Sequence, residues 1–338
     1  MQLYCGIDLH GNNSLVSIIN DQDQVKYEKR LANDLPTILK ALRPYQHDLV
    51  AIVVESTYNW YWLVDGLIEA DYDVRLANTV ALKQYSGLKY TDDRTDARHL
   101  AHVFRLGILP EGTIYPFDTR CVRDIFRRRL LLVRQNIMLR LSLQSLITRH
   151  SSHTISGPQI DQLTVSKVNR LLAHPSAQLT ARINLSLIRS LDKAISTIED
   201  HVAGYCQPTS SYRLITSVSG IGPIIGQGIL LETGDIERFG SAGQYASYAR
   251  CVPSMKLSNG KKKGTGNRKN GNQYLEYAFM EAAHHAAIWQ PKIKRYYQRK
   301  SSKTHKMVAK KAVANKLAKA CYYMLTRREP FDVDRAFA

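Results

Sequence analysis

Leu3-Tyr4-Cys5-Gly6-Ile7-Asp8, Leu15-Val16-Ser17-Ile18-Ile19-Asn20 and Val25-Lys26-Tyr27-Glu28-Lys29-Arg30-Leu31 open the chain as three strand-like runs, parted by the turn-forming HGNN and DQDQ stretches. Connections that short join antiparallel neighbours. Leu35–Arg43 reads as a helix. The apolar run Leu49–Val54 follows as a buried strand and stops at Glu55. Trp60–Ala70 is helical in pattern, Asp73–Ala77 is a short strand and Asp93–Leu106 is a helix. The predicted order is βββ-α-β-α-β-α.

That order is the order of a ribonuclease-H-like, or RuvC-like, α/β domain, expected over residues 1–112. From 113 to 208 strand signals vanish. Val122–Ile147 carries apolar residues at helical spacing, with Arg123, Arg127, Arg128, Arg129, Arg134 and Arg140 among them. Gly157-Pro158 interrupts the pattern and Leu185–Val202 resumes it, which predicts a helical or coiled-coil connector; a plain helical bundle fits equally. Residues 209–338 read as mainly helical, with Asn259–Asn272 as a lysine- and glycine-rich loop. The predicted class is therefore α/β plus α, and no fixed repeat suggests a solenoid.

The chain has 338 residues and a net charge of +18, from 47 Lys+Arg against 29 Asp+Glu. Between Arg250 and Lys311 there are 16 Lys+Arg and only two acids, Glu276 and Glu281. Concentrated positive charge favours a polyanion, because lysine and arginine displace the counterions condensed on phosphate backbones. No run approaches a membrane span, and the N-terminus lacks a signal pattern. Five scattered cysteines without a CxxC pair imply neither zinc nor disulfides, as expected of a reducing cytoplasm.

Asp8 closes the first strand, Glu55 closes the fourth, and Asp93 and Asp96 lie three apart on a helix, where they share a face. Converging carboxylates without histidine suit Mg²⁺, or Mn²⁺ in its place. Alternatives stand beside this. Asp8 could cap a turn, acids favour a helix start in any case, and Asp92 also shares a face with Asp96. Glu281 and His284 form a Glu-x-x-His pair that lacks a second such motif, so the histidine reads as satisfied or solvent-facing.

Gly6-Ile7-Asp8, Val54-Glu55-Ser56-Thr57 and Asp93-Arg94-Thr95-Asp96-Ala97-Arg98 resemble the three acidic motifs of the DEDD insertion-sequence transposases, described as bridge-RNA-guided recombinases. Ser219-Gly220-Ile221-Gly222-Pro223 and Leu257-Ser258-Asn259-Gly260-Lys261-Lys262-Lys263-Gly264 are similar to that family's second, C-terminal transposase domain. The resemblance implies that Asp8, Glu55, Asp93 and Asp96 bind Mg²⁺ and that Ser258 is the nucleophile. Lys261, Lys262, Lys263, Arg268 and Lys269 are then nucleic-acid-binding. This chain has Arg250-Cys251-Val252-Pro253 and Ser258-Asn259 where members often have Gly-Leu-Val-Pro and Ser-Gly, which keeps Ser254 in play. The resemblance further implies double-stranded target and donor DNA, a structured non-coding guide RNA, and a homo-oligomer built as a dimer of dimers. Its composite site would draw the acids and the serine from different subunits, in a bacterial cytoplasm at the nucleoid. A RuvC-like junction nuclease using activated water is the alternative enzyme; a basic scaffold with structural acids is the alternative without catalysis.

Overall fold

The computed structural model describes residues 1–88, 93–253, 255–259, 261–265 and 270–338. They fall into two compact units, one of residues 1–117 and one formed by nearly all the rest.

In the first unit β1 (Leu3–Leu9), β2 (Asn13–Asn20) and β3 (Val25–Ala32) form an antiparallel meander. The next elements are α1 (Leu35–Leu42), β4 (Leu49–Glu55), α2 (Tyr61–Glu69), β5 (Val74–Ala77), α3 (Thr79–Leu82), α4 (Asp93–Arg105) and β6 (Glu111–Gly112). β4 lies parallel to β1 and β5 parallel to β4, and the sheet order is β3-β2-β1-β4-β5-β6. The sequence pattern missed β6, which at two residues is too short to show any alternation. β1 and β4 are almost wholly apolar because both faces of the sheet are covered. β3 is an edge strand and carries Lys26, Lys29 and Arg30, charges that discourage pairing with another chain.

Alternation assigns the two faces. Cys5, Ile7, Leu9, Ile52 and Val54 pack with Ile38, Leu42, Leu63 and Leu67 of α1 and α2. Val53 points the other way, into a small cluster with Ala77 and Leu100 of α4. Gly6 shares that second face, and a methyl group added there would lie 2.0 Å from the Ala97 carbonyl oxygen and 2.9 Å from the Ala101 nitrogen. Only glycine lets the backbone of α4 settle so close to β1.

The second unit begins with α5 (Phe117–Ser151), 35 residues and so about 50 Å long. The short α6 (Gly157–Asp161) and α7 (Val165–Leu171) precede α8 (Pro175–Cys206), which runs back antiparallel to α5. Leu143, Ile147, Leu163, Val168, Ala181 and Leu185 form the core of this helical hairpin. Cross-links at Arg129–Glu199 (2.5 Å), Asn136–Asp192 (2.8 Å) and Arg140–Asp192 (2.9 Å) hold its register. Several of the arginines that make the middle region so basic therefore form internal ion pairs.

After α9 (Ser210–Thr216), α10 (Pro223–Thr233) and α11 (Ala242–Tyr248) comes a hairpin of β7 (Met255–Ser258) and β8 (Lys261–Thr265). It corrects the expectation of an irregular lysine loop from residue 259. Lysine is a poor strand former, which hides β8; the Asn259-Gly260 dipeptide is nevertheless a hairpin-turn signal, and Asn259 has the positive φ of 51° such turns demand. The chain continues through α12 (Gln273–Trp289), α13 (Pro291–Ser301), α14 (Lys306–Arg327) and α15 (Val333–Ala336), packed around Tyr245, Phe279, Leu317 and Cys321. Among the described residues no helix is long and apolar enough to cross a membrane. Cys5, Cys206, Cys251 and Cys321 are buried free thiols. Burial pushes Cys206 up to about 11 and Cys251 and Cys321 to about 12, so they pack as small apolar groups.

Candidate active site

Ile7 and Val54 are partners across the parallel β1–β4 pair, so Asp8 and Glu55 come next at the same level of the sheet. Alternation turns both toward α4, whose first turn carries Asp96. Glu55 and Asp96 line one pocket of about 200 Å³, together with Thr79, Lys83 and His99. Asp8 lies inside β1 and is 2% exposed, which removes the turn-capping alternative. Its Oδ2 is 3.3 Å from His10 Nε2, yet the two are not aligned for a hydrogen bond and that oxygen has none among the described residues. Such a carboxylate forfeits its hydration without replacement, an arrangement that makes sense where something else supplies the missing contact.

The loop after β1 is pinned to keep His10 there. Asn33 and Asn59 both donate side-chain N–H groups to the His10 carbonyl, at 2.9 and 3.2 Å. Asp93 opens α4. Asp92 lies outside the described residues.

In the second unit Ser258 ends β7 and pairs across the hairpin with Lys261, the first residue of β8. Leu257 pairs with Lys262, and Lys256 with Gly264, so Lys263 is the extra residue of a bulge. A bulge bends its strand and re-aims the neighbouring side chains. Lys261 and Lys263 are exposed. Ser254, Arg268 and Lys269 lie outside the described residues. Asn272, just beyond the hairpin, caps α12 through Oδ1, which accepts from Tyr274 and Leu275 N–H at 2.8 and 3.1 Å. Its Nδ2 donates to Glu232 Oε2 (2.7 Å), and Glu232 also receives a two-bond clasp from Arg127 (2.6 and 2.7 Å). Burial alone would lower the Arg127 pKa, but the bonds to Glu232 outweigh it and hold the guanidinium firmly charged.

A DEDD transposase family model matches residues 5–151, and a model described as the transposase IS116/IS110/IS902 family matches residues 212–298. The chain belongs to this transposase family. Asp8, Glu55, Asp93 and Asp96 fall within the first matched segment, and Ser258 with its lysines within the second. A Pseudomonas aeruginosa protein assigned as a family 20 transposase is 23% identical over 233 residues, 66% of this chain and 67% of that protein. A Streptomyces coelicolor protein assigned as the mini-circle transposase for IS117 is 29% identical over 159 residues, 46% of this chain. This chain spans 38% of that second relative's length.

A divalent metal is the cofactor such a transposase domain implies. Its donor chemistry fits here: carboxylate oxygens only, one of them the buried, unsatisfied Oδ2 of Asp8. Asp8, Glu55 and Asp96 do not by themselves make a three-ligand cluster, and no such cluster occurs among the described residues. Sequence reasoning missed His10, Lys83, Thr79 and His99. His10, two residues beyond Asp8, and His99, three beyond Asp96 on α4, left local traces; Thr79 and Lys83 meet the acids through tertiary packing. His284 and His285 are exposed on α12, the solvent-facing one of the two alternatives the sequence left open.

Proposed function

We propose that the chain is a DNA recombinase of the insertion-sequence type, with a ribonuclease-H-like metal site in its first unit and a serine nucleophile in its second. The observation that carries this reading is the level placement of Asp8 and Glu55 on neighbouring parallel strands, on the face where Gly6 admits α4. Asp8, Glu55, Asp93 and Asp96 would hold Mg²⁺ or Mn²⁺, which when bound stabilises the charge of a scissile phosphate and of its leaving oxygen. His10 flanks the buried oxygen of Asp8 and can orient a water or a ligand there. Lys83, on the rim of the acidic pocket, is suited to a phosphate of the incoming strand.

Ser258 attacks the DNA phosphate. A bond forms from its Oγ to phosphorus as the bond from phosphorus to the departing deoxyribose oxygen breaks, and the serine proton ends on that oxygen. Lys261, Lys262, Lys263, Arg268 and Lys269 steady the phosphate's negative charge. The phosphoserine is then resolved by strand exchange. In this reading a non-coding RNA selects target and donor by base pairing, and a dimer of dimers brings acids and serine together from different subunits. The +18 charge, concentrated beside the hairpin, supports a nucleic-acid partner on any version of it.

Covalent trapping tests the mechanism. Incubation with Mg²⁺ and cognate DNA, then denaturing electrophoresis, should yield a protein–DNA adduct that requires both Asp8 and Ser258. Cleavage without any adduct would point instead to a nuclease using activated water.

A further inference from the structure

In the second unit, α13, α14 and the segment 329–336 enclose a pocket of about 820 Å³ whose lining, among the described residues, includes none of Asp8, Glu55 and Asp96. Tyr296, Lys316, Lys319, Tyr323, Arg327 and Phe331 are the lining residues that matter. Three cations surround the Tyr296 ring: Lys316 Nζ at 5.2 Å, the Arg299 guanidinium at 5.7 Å and Lys300 Nζ at 6.0 Å from its centroid. At the other end the Arg327 guanidinium lies 4.8 Å from the Tyr323 ring, which is 45% exposed.

The acids nearby are already engaged. Glu329 pairs with Arg335 at 3.7 Å, Asp332 caps α15, and Glu276 pairs with Lys311 at 3.1 Å. Among the described residues Arg299, Lys300, Lys319 and Arg327 have no carboxylate partner. Burial, and then repulsion from Lys319, Arg299 and Lys300, pull Lys316 below the ordinary lysine range. Four or five cations crowded together, with the lining acids Glu329 and Asp332 already engaged, form a site that gains from an anion. The aromatic faces among them add a demand that a bare phosphate does not meet.

We propose that this pocket holds an unpaired segment of a nucleic-acid strand, with a base on Tyr323 beside Arg327 and the backbone phosphates along Lys316 and Lys319. A duplex keeps its bases stacked on each other and cannot offer one to Tyr323, whereas a single strand offers both base and phosphate. This rests on the chain's being a nucleic-acid recombinase, and it names a second contact, whose lining includes neither Lys261 nor Lys263.

The test uses the full chain in EDTA, with fluorescein-labelled ten-nucleotide oligouridine and oligothymidine and a blunt DNA duplex, read by anisotropy. Tyr323→Ala should weaken single-strand binding about fivefold or more. Tyr323→Phe, which keeps the ring, should stay within about twofold of wild type. Lys319→Gln with Arg327→Gln should cost the single strands about tenfold and the duplex less than about threefold. All these side chains are exposed or half-buried, so the variants should fold. The oligonucleotide that loses more identifies the strand as RNA or DNA. Equal losses on duplex and single strands, or a silent Tyr323→Ala, would overturn the proposal. No strand is cut in EDTA, so the two readings fail separately: failure of the pocket would leave the metal-dependent adduct intact, and absence of that adduct would leave these affinities standing.

Discussion

Asp8 and Glu232 are equally hidden from water, at 2% and 0% exposure, yet their surroundings are opposites. Glu232, in the helical unit, takes two bonds from Arg127 and one from Asn272. Asp8, at the end of β1, has a histidine nitrogen 3.3 Å away and an oxygen without a hydrogen bond among the described residues. A buried carboxylate is costly unless paired. The satisfied one ties α5, α10 and the cap of α12 into one body. The unsatisfied one costs the fold free energy that no group among the described residues returns. Burial alone thus says little about a charge; the state of its hydrogen bonds separates a strut from a site.

Asp8→Asn should break the comparison most sharply. It keeps the shape but removes the anionic donor, so Mg²⁺-dependent strand cleavage should fall on the order of 10³-fold or more, while Tm holds or rises. A protein that is less stable but still active would make Asp8 a structural residue. Ser258→Ala should abolish the covalent adduct and leave oligonucleotide binding unchanged, since one hydroxyl is lost and no charge. An adduct that persists would move the attack to Ser254 or a tyrosine such as Tyr274.

Glu232→Gln is the reverse experiment. It leaves Arg127, with 30% of its side chain exposed, facing a neutral partner. Urea unfolding should show a loss of about 3 kcal/mol, the lower end for a broken buried pair because Arg127 keeps some water. The folded fraction should retain full activity. If Glu232→Gln instead kills cleavage without destabilising, the satisfied carboxylate belongs to the chemistry and the contrast collapses. The mildest effect should come from neutralising Lys261, Lys262 and Lys263 together. The slope of log affinity against log salt should flatten by up to about 3, one phosphate contact for each lysine. An unchanged slope would mean the hairpin faces solvent.

The strand order and the approximate bounds of β1 to β5 were legible because alternation and turn chemistry act within a few residues. Asp8, Glu55 and Asp96 were legible for the same reason, each sitting where a charge interrupts or opens a regular element. The β7–β8 hairpin was half-legible. Its Asn-Gly turn was visible, but three consecutive lysines gave no alternation to read, and pairing with Met255–Ser258 supplied the strand.

Residue order by itself determined the α/β class, the order of strands and helices along the first unit, the long helices and the concentration of positive charge, all consequences of local pattern and composition. Only tertiary structure decided that Gly6 faces Ala97, that Lys83 and His99 share a pocket with Glu55 and Asp96, and that Arg127 is spent on Glu232. It likewise decided that the cations around Tyr296 lack acids. Gly6 and Ala97, like Arg127 and Glu232, lie far apart in the chain, and whether a charge is satisfied depends on what packing brings within about 3 Å of it, the reach of a hydrogen bond.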